Sequence, residues 1–267
     1  MKTAFWRAMC ALLLAAVVAA PARAGRTCEP WKPSAATLAR AFGMAERTLR
    51  ALDDEYAKNG TQVVVLARAG QDLTQYGLRY SHLGFAYRTA DGRWRVLHKL
   101  NQCGTADASI YRQGLGDFFL DSLWRYEAAY EVPAPEVQAR LLAVLQDERR
   151  ATAMHWKPYS VVSYAWGQRY QQSNQWAIET LAAAMEPGIA SRTQAQAWLQ
   201  FKGYQPTTLH LGPMERLGGR LTSANVAFDD HPSEKRFSNR IETVTVDSVF
   251  DWLPRAGLAS SAVTLRP

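Results

Sequence analysis

The 267-residue chain has little cysteine, with three residues, and little histidine, with five. No stretch reaches the ~20 consecutive apolar residues that a membrane-spanning helix needs, so no membrane span is expected in the exported product. Basic residues outnumber acidic ones, 31 to 24, for a formal charge of +7, yet they are scattered and form no cluster. That argues against a nucleic-acid partner and supports no more than a weak preference for anionic surfaces. There is no internal repeat and no low-complexity tract. Nothing in the sequence calls for a cofactor.

What is present begins at the N terminus. Lys2 and Arg7 lead into an apolar run over 8–20, and Pro21-Ala22-Arg23-Ala24 ends in a small-x-small pattern. This is the layout of a secretory signal peptide over 1–24, with cleavage expected after Ala24 and a periplasmic or secreted product. Residues 25–267 are long enough for one domain with its own core. Cys10 would leave with the signal. In an oxidising compartment Cys28 and Cys103 would then form one disulfide, tying the N terminus to the segment after residue 99. The alternative makes Cys103 a nucleophile, five residues beyond His98.

The stretch 80–99 organises the rest. Tyr80-Ser81-His82-Leu83-Gly84-Phe85-Ala86-Tyr87-Arg88 and Trp94-Arg95-Val96-Leu97-His98-Lys99 flank Asp91-Gly92, which predicts a β-hairpin. His82 lies near the start of the first strand and His98 near the end of the second, so an antiparallel hairpin makes them neighbours. Two imidazoles there read either as a base and its orienter or as two ordinary strand histidines.

Elsewhere the periods alternate between helix and strand. Ser34 caps an expected helix with Leu38, Phe42, Ala45, Leu49, Leu52 and Tyr56 on one face, ended by Asn59-Gly60. Residues 62–68 read as a buried strand. Residues 101–118 read as an irregular glycine-rich loop, either lining a site or a plain excursion. Residues 124–132 suit a strand and 135–148 an amphipathic helix. A helix is expected over 174–186, another from a capping-box pattern at Ser191 to Lys202, and strands over 207–211 and 240–246. A brief helix should start at Pro213, and a helical turn or two should span 247–253. The last residues look loose. The tryptophans, among them Trp124, Trp156, Trp166, Trp176, Trp198 and Trp252, suggest either glycan stacking or core, and most fall on apolar faces. His155 and His210 have no motif around them and read as surface or packing residues.

Ser173 stands at or just before the start of the 174–186 helix. A helix N terminus presents free N–H groups and the positive end of the dipole. A nucleophile there is eased toward its anion, and the same N–H groups can hold an oxyanion. Ser173 therefore reads either as a helix cap or as a nucleophile served by His82 as base and His98 as orienter. Asp229-Asp230-His231-Pro232 offers a second possibility. Asp230 and His231 are acceptable metal ligands, while a polar loop with a capping aspartate accounts for the same residues.

Four segments carry a resemblance over most of the chain: Ser81-His82-Leu83-Gly84-Phe85, the histidine in Val96-Leu97-His98-Lys99, Gln172-Ser173-Asn174-Gln175-Trp176, and Asp229-Asp230-His231-Pro232. The chain resembles an exported bacterial family of unknown function (DUF2145-like). The first three segments also resemble the circularly permuted papain-like fold of cell-wall amidase relatives (NlpC-type) and lecithin–retinol acyltransferase-like enzymes. The resemblance implies an α+β fold, an antiparallel sheet with packed helices, with the catalytic histidine at His82, its orienter at His98 and the nucleophile position at Ser173. It implies action on an amide or ester in peptidoglycan, in lipid or in a small molecule. The family pattern has cysteine where this chain has serine, and a hydroxyl is far harder to deprotonate than a thiol. The alternative is an envelope binding protein on an inactive enzyme frame.

Overall fold

The structure is a computed structural model and describes residues 31–267. The signal segment 1–24 and Cys28 lie outside the described residues. The chain forms α1 (Ala35–Asn59), β1 (Val63–Arg68), β2 (His82–Arg88), β3 (Trp94–Asn101), β4 (Ala108–Gly114), α2 (Leu115–Phe119) and β5 (Ala128–Glu131). It continues with α3 (Pro135–Leu145), α4 (Glu148–Thr152), α5 (Ser173–Met185), α6 (Arg192–Phe201), β6 (Thr207–His210) and α7 (Pro213–Thr222). Last come α8 (Ser233–Phe237), β7 (Arg240–Thr243), α9 (Val246–Arg255) and β8 (Val263–Leu265).

Six strands make one antiparallel sheet in the order β4-β3-β2-β1-β5-β8, and β6 pairs with β7 apart from it. The α+β class expected from the sequence is what the chain adopts. Among the described residues no helix is long and apolar enough to cross a membrane.

The expected hairpin is β2 and β3. Asp91-Gly92 turns the chain with Gly92 at φ 84°, a left-handed backbone that favours glycine. Alternation along β2 sorts its side chains between two cores. Leu83, Phe85 and Tyr87 face one layer with Trp176 and Ile178 of α5 and Leu141 of α3. Ala86, with Val64, Leu66 and Val96, faces the other layer with Met44 and Leu52 of α1 and Phe118 of α2. Both faces of the central strands are covered, so β1 and β2 read as near-continuous apolar runs.

Four expectations need correction. Residues 101–118 are not an irregular loop: β4 pairs with β3 along its whole length and α2 follows directly. The polar side chains of β4 disguise it, because β4 is the edge of the sheet. The 124–132 strand is shorter, since only Ala128–Glu131 pairs. The face that α1 buries is Ala41, Met44, Ala45, Thr48 and Leu52, while Phe42, Leu49 and Tyr56 are exposed. That face meets Val64, Leu66, Ala86 and Val96 of the sheet and Phe118 and Phe119 of α2, so the rotation of the helix about its axis sets the buried face. The C-terminal residues are not loose: β8 adds an edge strand against Ala128, Ala129 and Tyr130.

Candidate functional site

Every residue of Ser81-His82-Leu83-Gly84-Phe85 has an assignable task. The Ser81 hydroxyl accepts from the backbone N–H of Gly70 at 2.9 Å and of Gln71 at 3.0 Å, folding the preceding loop back on the strand. The Leu83 N–H donates to Asn174 Oδ1 at 3.1 Å, joining the start of β2 to the first turn of α5. Phe85 packs edge-on against Trp176, ring centroids 6.1 Å apart. Gly84 lies under His98: a Cβ there would stand 2.7 Å from the His98 Cβ and 2.9 Å from the Leu97 carbonyl oxygen. Only glycine allows that approach.

The approach serves the two histidines. His82 Nε2 lies 2.8 Å from His98 Nδ1, and His98 Nε2 lies 2.8 Å from Oε1 of Gln113 on β4. The pair is packed under α2, with the His98 and Phe118 rings edge to face at 5.3 Å. The Arg68 guanidinium lies over the same Phe118 ring, donates to the Phe118 carbonyl and pairs with Asp121 at 2.8 Å. Burial, followed by the nearby Arg68 charge, pushes His98 down to about 4. Burial, Arg68 and His98 together hold His82 well below the usual imidazole range. Both rings are therefore neutral at physiological pH. His82 Nδ1 makes no hydrogen bond among the described residues.

Ser173 is the first residue of α5, not its cap. The cap is Gln172, whose Oε1 accepts from the Asn174 N–H at 2.8 Å. Asn174 Nδ2 also donates to the Val244 carbonyl at 3.3 Å. Gln175 receives the Ser163 hydroxyl at 2.8 Å and donates to the carbonyls of Tyr164 and Ala165. The neighbours of Ser173 thus lock the helix start in place. Ser173 itself is buried beside the Tyr159 phenol, which its hydroxyl and backbone N–H both approach. The expected cradle of free N–H groups is narrower than the sequence suggests, because the Gln172 side chain occupies the Asn174 N–H.

The structure brings His82 and His98 together and brings Ser173 to the same end of β2, through Asn174. It does not join Ser173 to either histidine by a hydrogen bond. Strand alternation explains why: His82 and His98 point to the α1–α2 face, and α5 packs on the other.

Sequence reasoning missed two parts of this region. Gln113 went unseen because it lies in the segment read as loop. The second is a buried polar network behind Ser173. Lys99 Nζ donates to Gln171 Oε1 at 2.7 Å and to the Trp156 carbonyl at 2.6 Å. Gln171 in turn donates to Glu179 at 2.5 Å. Glu179 also receives Arg192 at 2.8 Å and Gln196 at 2.7 Å. Arg192 goes on to the carbonyls of Gly167, Gln168 and Tyr170. Burial lowers Lys99 to about 7. Charged residues in a one-dimensional reading look like surface, and nothing local marks them as buried.

Asp230 and His231 form a structural clasp. His231 Nδ1 meets Asp230 Oδ1 at 3.0 Å, and His231 Nε2 meets the Glu242 carbonyl at 3.2 Å. Asp230 Oδ2 accepts the Tyr164 N–H at 2.8 Å. Both ring nitrogens are taken up by contacts within the protein, so neither is free to hold a metal. Among the described residues no group of three His, Cys, Asp or Glu side chains could hold one. Cys103 lies exposed in the turn between β3 and β4; its expected partner Cys28 is outside the described residues. His210 is exposed, as expected, and burial near Lys99 lowers His155 to about 4. Trp124 and Trp156 are exposed and Trp176 and Trp252 are core.

A family model described as an uncharacterized protein conserved in bacteria (DUF2145) matches residues 55–253. The chain belongs to this family. No curated protein and no solved structure matches it.

Proposed function

We propose that this DUF2145 member is an exported cell-envelope protein of permuted papain-like fold, acting as a hydrolase or acyltransferase on an amide or ester of peptidoglycan or lipid. The observation that carries the reading is the neutral imidazole relay from Gln113 through His98 to His82, with the start of β2 joined to the first turn of α5, beside Ser173, by the Leu83 N–H to Asn174 hydrogen bond.

In this reading the first turn of α5 shifts past the start of β2, so that the Ser173 hydroxyl leaves Tyr159 on the α5 face of the sheet and reaches His82. Its oxygen attacks the substrate carbonyl while its proton passes to His82 Nδ1. The Tyr159 phenol and the Ser173 N–H offer hydrogen bonds to the oxyanion. Collapse of the tetrahedral intermediate breaks the amide or ester bond, and the leaving amine or alcohol takes the proton from His82. Water, or an acceptor hydroxyl, then gives its proton to His82 and attacks the acyl-serine, releasing the acyl group and restoring Ser173.

A second reading, a binding protein on the same frame, draws on the contact of Ser173 with Tyr159. The test is the Ser173→Cys variant, with alkylation at position 173 followed against pH by peptide mapping. A thiol with an apparent pKa well below ~8.5, returned to that value by His82→Ala, supports the catalytic reading. A thiol that titrates as a free cysteine, or does not react, favours the binding protein. Export is tested separately, by locating the protein in cell fractions and reading its N terminus for cleavage after Ala24. Cys28 and Cys103 would leave no alkylatable thiol in the exported chain without reductant.

A further inference from the structure

We propose that Gln113 is a positioning residue that sets the tautomer of both histidines and thereby places the lone pair of His82 on Nδ1. A carboxamide oxygen only accepts, so the 2.8 Å contact at Gln113 Oε1 requires His98 to carry its proton on Nε2. A neutral imidazole has one N–H, so His98 Nδ1 is left as an acceptor. The 2.8 Å contact with His82 Nε2 then requires the His82 proton on Nε2. Two hydrogen bonds in series fix which nitrogen of the distal ring is basic.

The fold makes the contact obligatory. Gln113 pairs with Val96 across the β3–β4 ladder and His98 with Tyr111, so Gln113 and His98 are diagonal neighbours on one face. Phe118 closes the pair from above. The acceptor at the end of the chain is uncharged, and the cation acting on both rings, Arg68, is paired with Asp121. The Gln113 acceptor draws His98 toward imidazolium less than a carboxylate would, and burial with the Arg68 charge outweighs it, which suits a base that must begin unprotonated.

The catalytic meaning of this arrangement rests on the reading of His82 as a base, but the tautomers are observable without any reaction. The experiment is NMR of the protein labelled with 15N-histidine, the five histidines assigned by single His→Gln variants. The expected result is protonated Nε2 and unprotonated Nδ1 at both His82 and His98. Gln113→Leu, which keeps bulk and removes the acceptor, should mix the tautomers at both rings; Gln113→Glu, which keeps an acceptor, should hold the proton on Nε2 of His98. In the Ser173→Cys background, Gln113→Leu should slow alkylation below pH 7 about tenfold, the scale of one buried hydrogen bond. A proton on Nδ1 of His98 in the unaltered protein, or tautomers untouched by Gln113→Leu, overturns the proposal. Should Gln113→Leu fail to fold, the unaltered protein and Gln113→Glu decide the matter on the same signals. Tautomers as expected with an ordinary thiol at 173 would leave Gln113 in this role and remove the catalytic reading instead.

Discussion

His82 Nε2 and His98 Nδ1 stand 2.8 Å apart although sixteen residues separate them, because the Asp91-Gly92 turn lays the start of β2 beside the end of β3. Gly84 makes the contact possible. It removes the side chain that would otherwise occupy the space of the His98 Cβ. From this relationship, the network behind Ser173 and the Asp230–His231 clasp, four predictions follow by separate routes.

Gly84→Ala should destabilise the protein by about 1–3 kcal/mol, the usual cost of overpacking a closed core. The added methyl meets backbone at Leu97 as well as the His98 side chain, so no flexible group can yield. Urea denaturation measures the loss, and the His82 and His98 imidazole signals should shift in the same variant. A stability equal to the unaltered protein would contradict the packing described here.

Acid should weaken the fold through the histidines. His98 titrates at about 4 when folded and near 6.5 when unfolded, so between those values the unfolded chain binds more protons. The stability this group contributes is complete above ~6.5 and falls as pH drops toward 4, by at most ~1.4 kcal/mol per pH unit. Glu131, pushed up to about 8 by burial, acts with the opposite sign over 4.5 to 8. A comparison with His98→Gln cancels that contribution. The advantage of the unaltered protein over the variant should shrink from pH 6.5 to pH 4.

Glu179→Gln should cost about 3–5 kcal/mol, the range for breaking one side of a buried ion pair. Arg192 would then be a buried cation holding only carbonyls and neutral amides. Because those carbonyls belong to the segment leading into α5, the loss should also raise hydrogen exchange over 167–173. Unchanged protection there would separate the pair from the positioning of Ser173.

Addition of zinc, or of a chelator, should leave the thermal midpoint unchanged, because both His231 nitrogens are engaged within the protein. Asp230→Ala should lower stability by about 1–3 kcal/mol, since it strips a partner from the buried His231 and from the Tyr164 N–H. A metal-dependent rise in midpoint, lost in Asp230→Ala, would restore the ligand reading of this pair.

Much of the architecture is local and was legible in the residues. The hairpin announces itself through Asp91-Gly92 between two aromatic and β-branched runs. The helix at 173–185 shows in the spacing of Trp176, Leu181 and Ala182, and the pairing of His82 with His98 follows from hairpin symmetry alone. Each rests on turn geometry or on side-chain period, properties of short stretches of chain. What remained hidden depended on distant partners. β4 is an edge strand with polar side chains, so only its pairing with β3 reveals it and the role of Gln113. The buried face of α1 was set by the rotation of the helix against the sheet and α2. Lys99, Glu179 and Arg192 are core residues only because three separate segments converge to satisfy them. The relation of Ser173 to His82 was decided in the same way. The sequence by itself determined that a histidine hairpin and a serine-led helix exist; packing of that helix on the opposite face of the sheet decided how they meet.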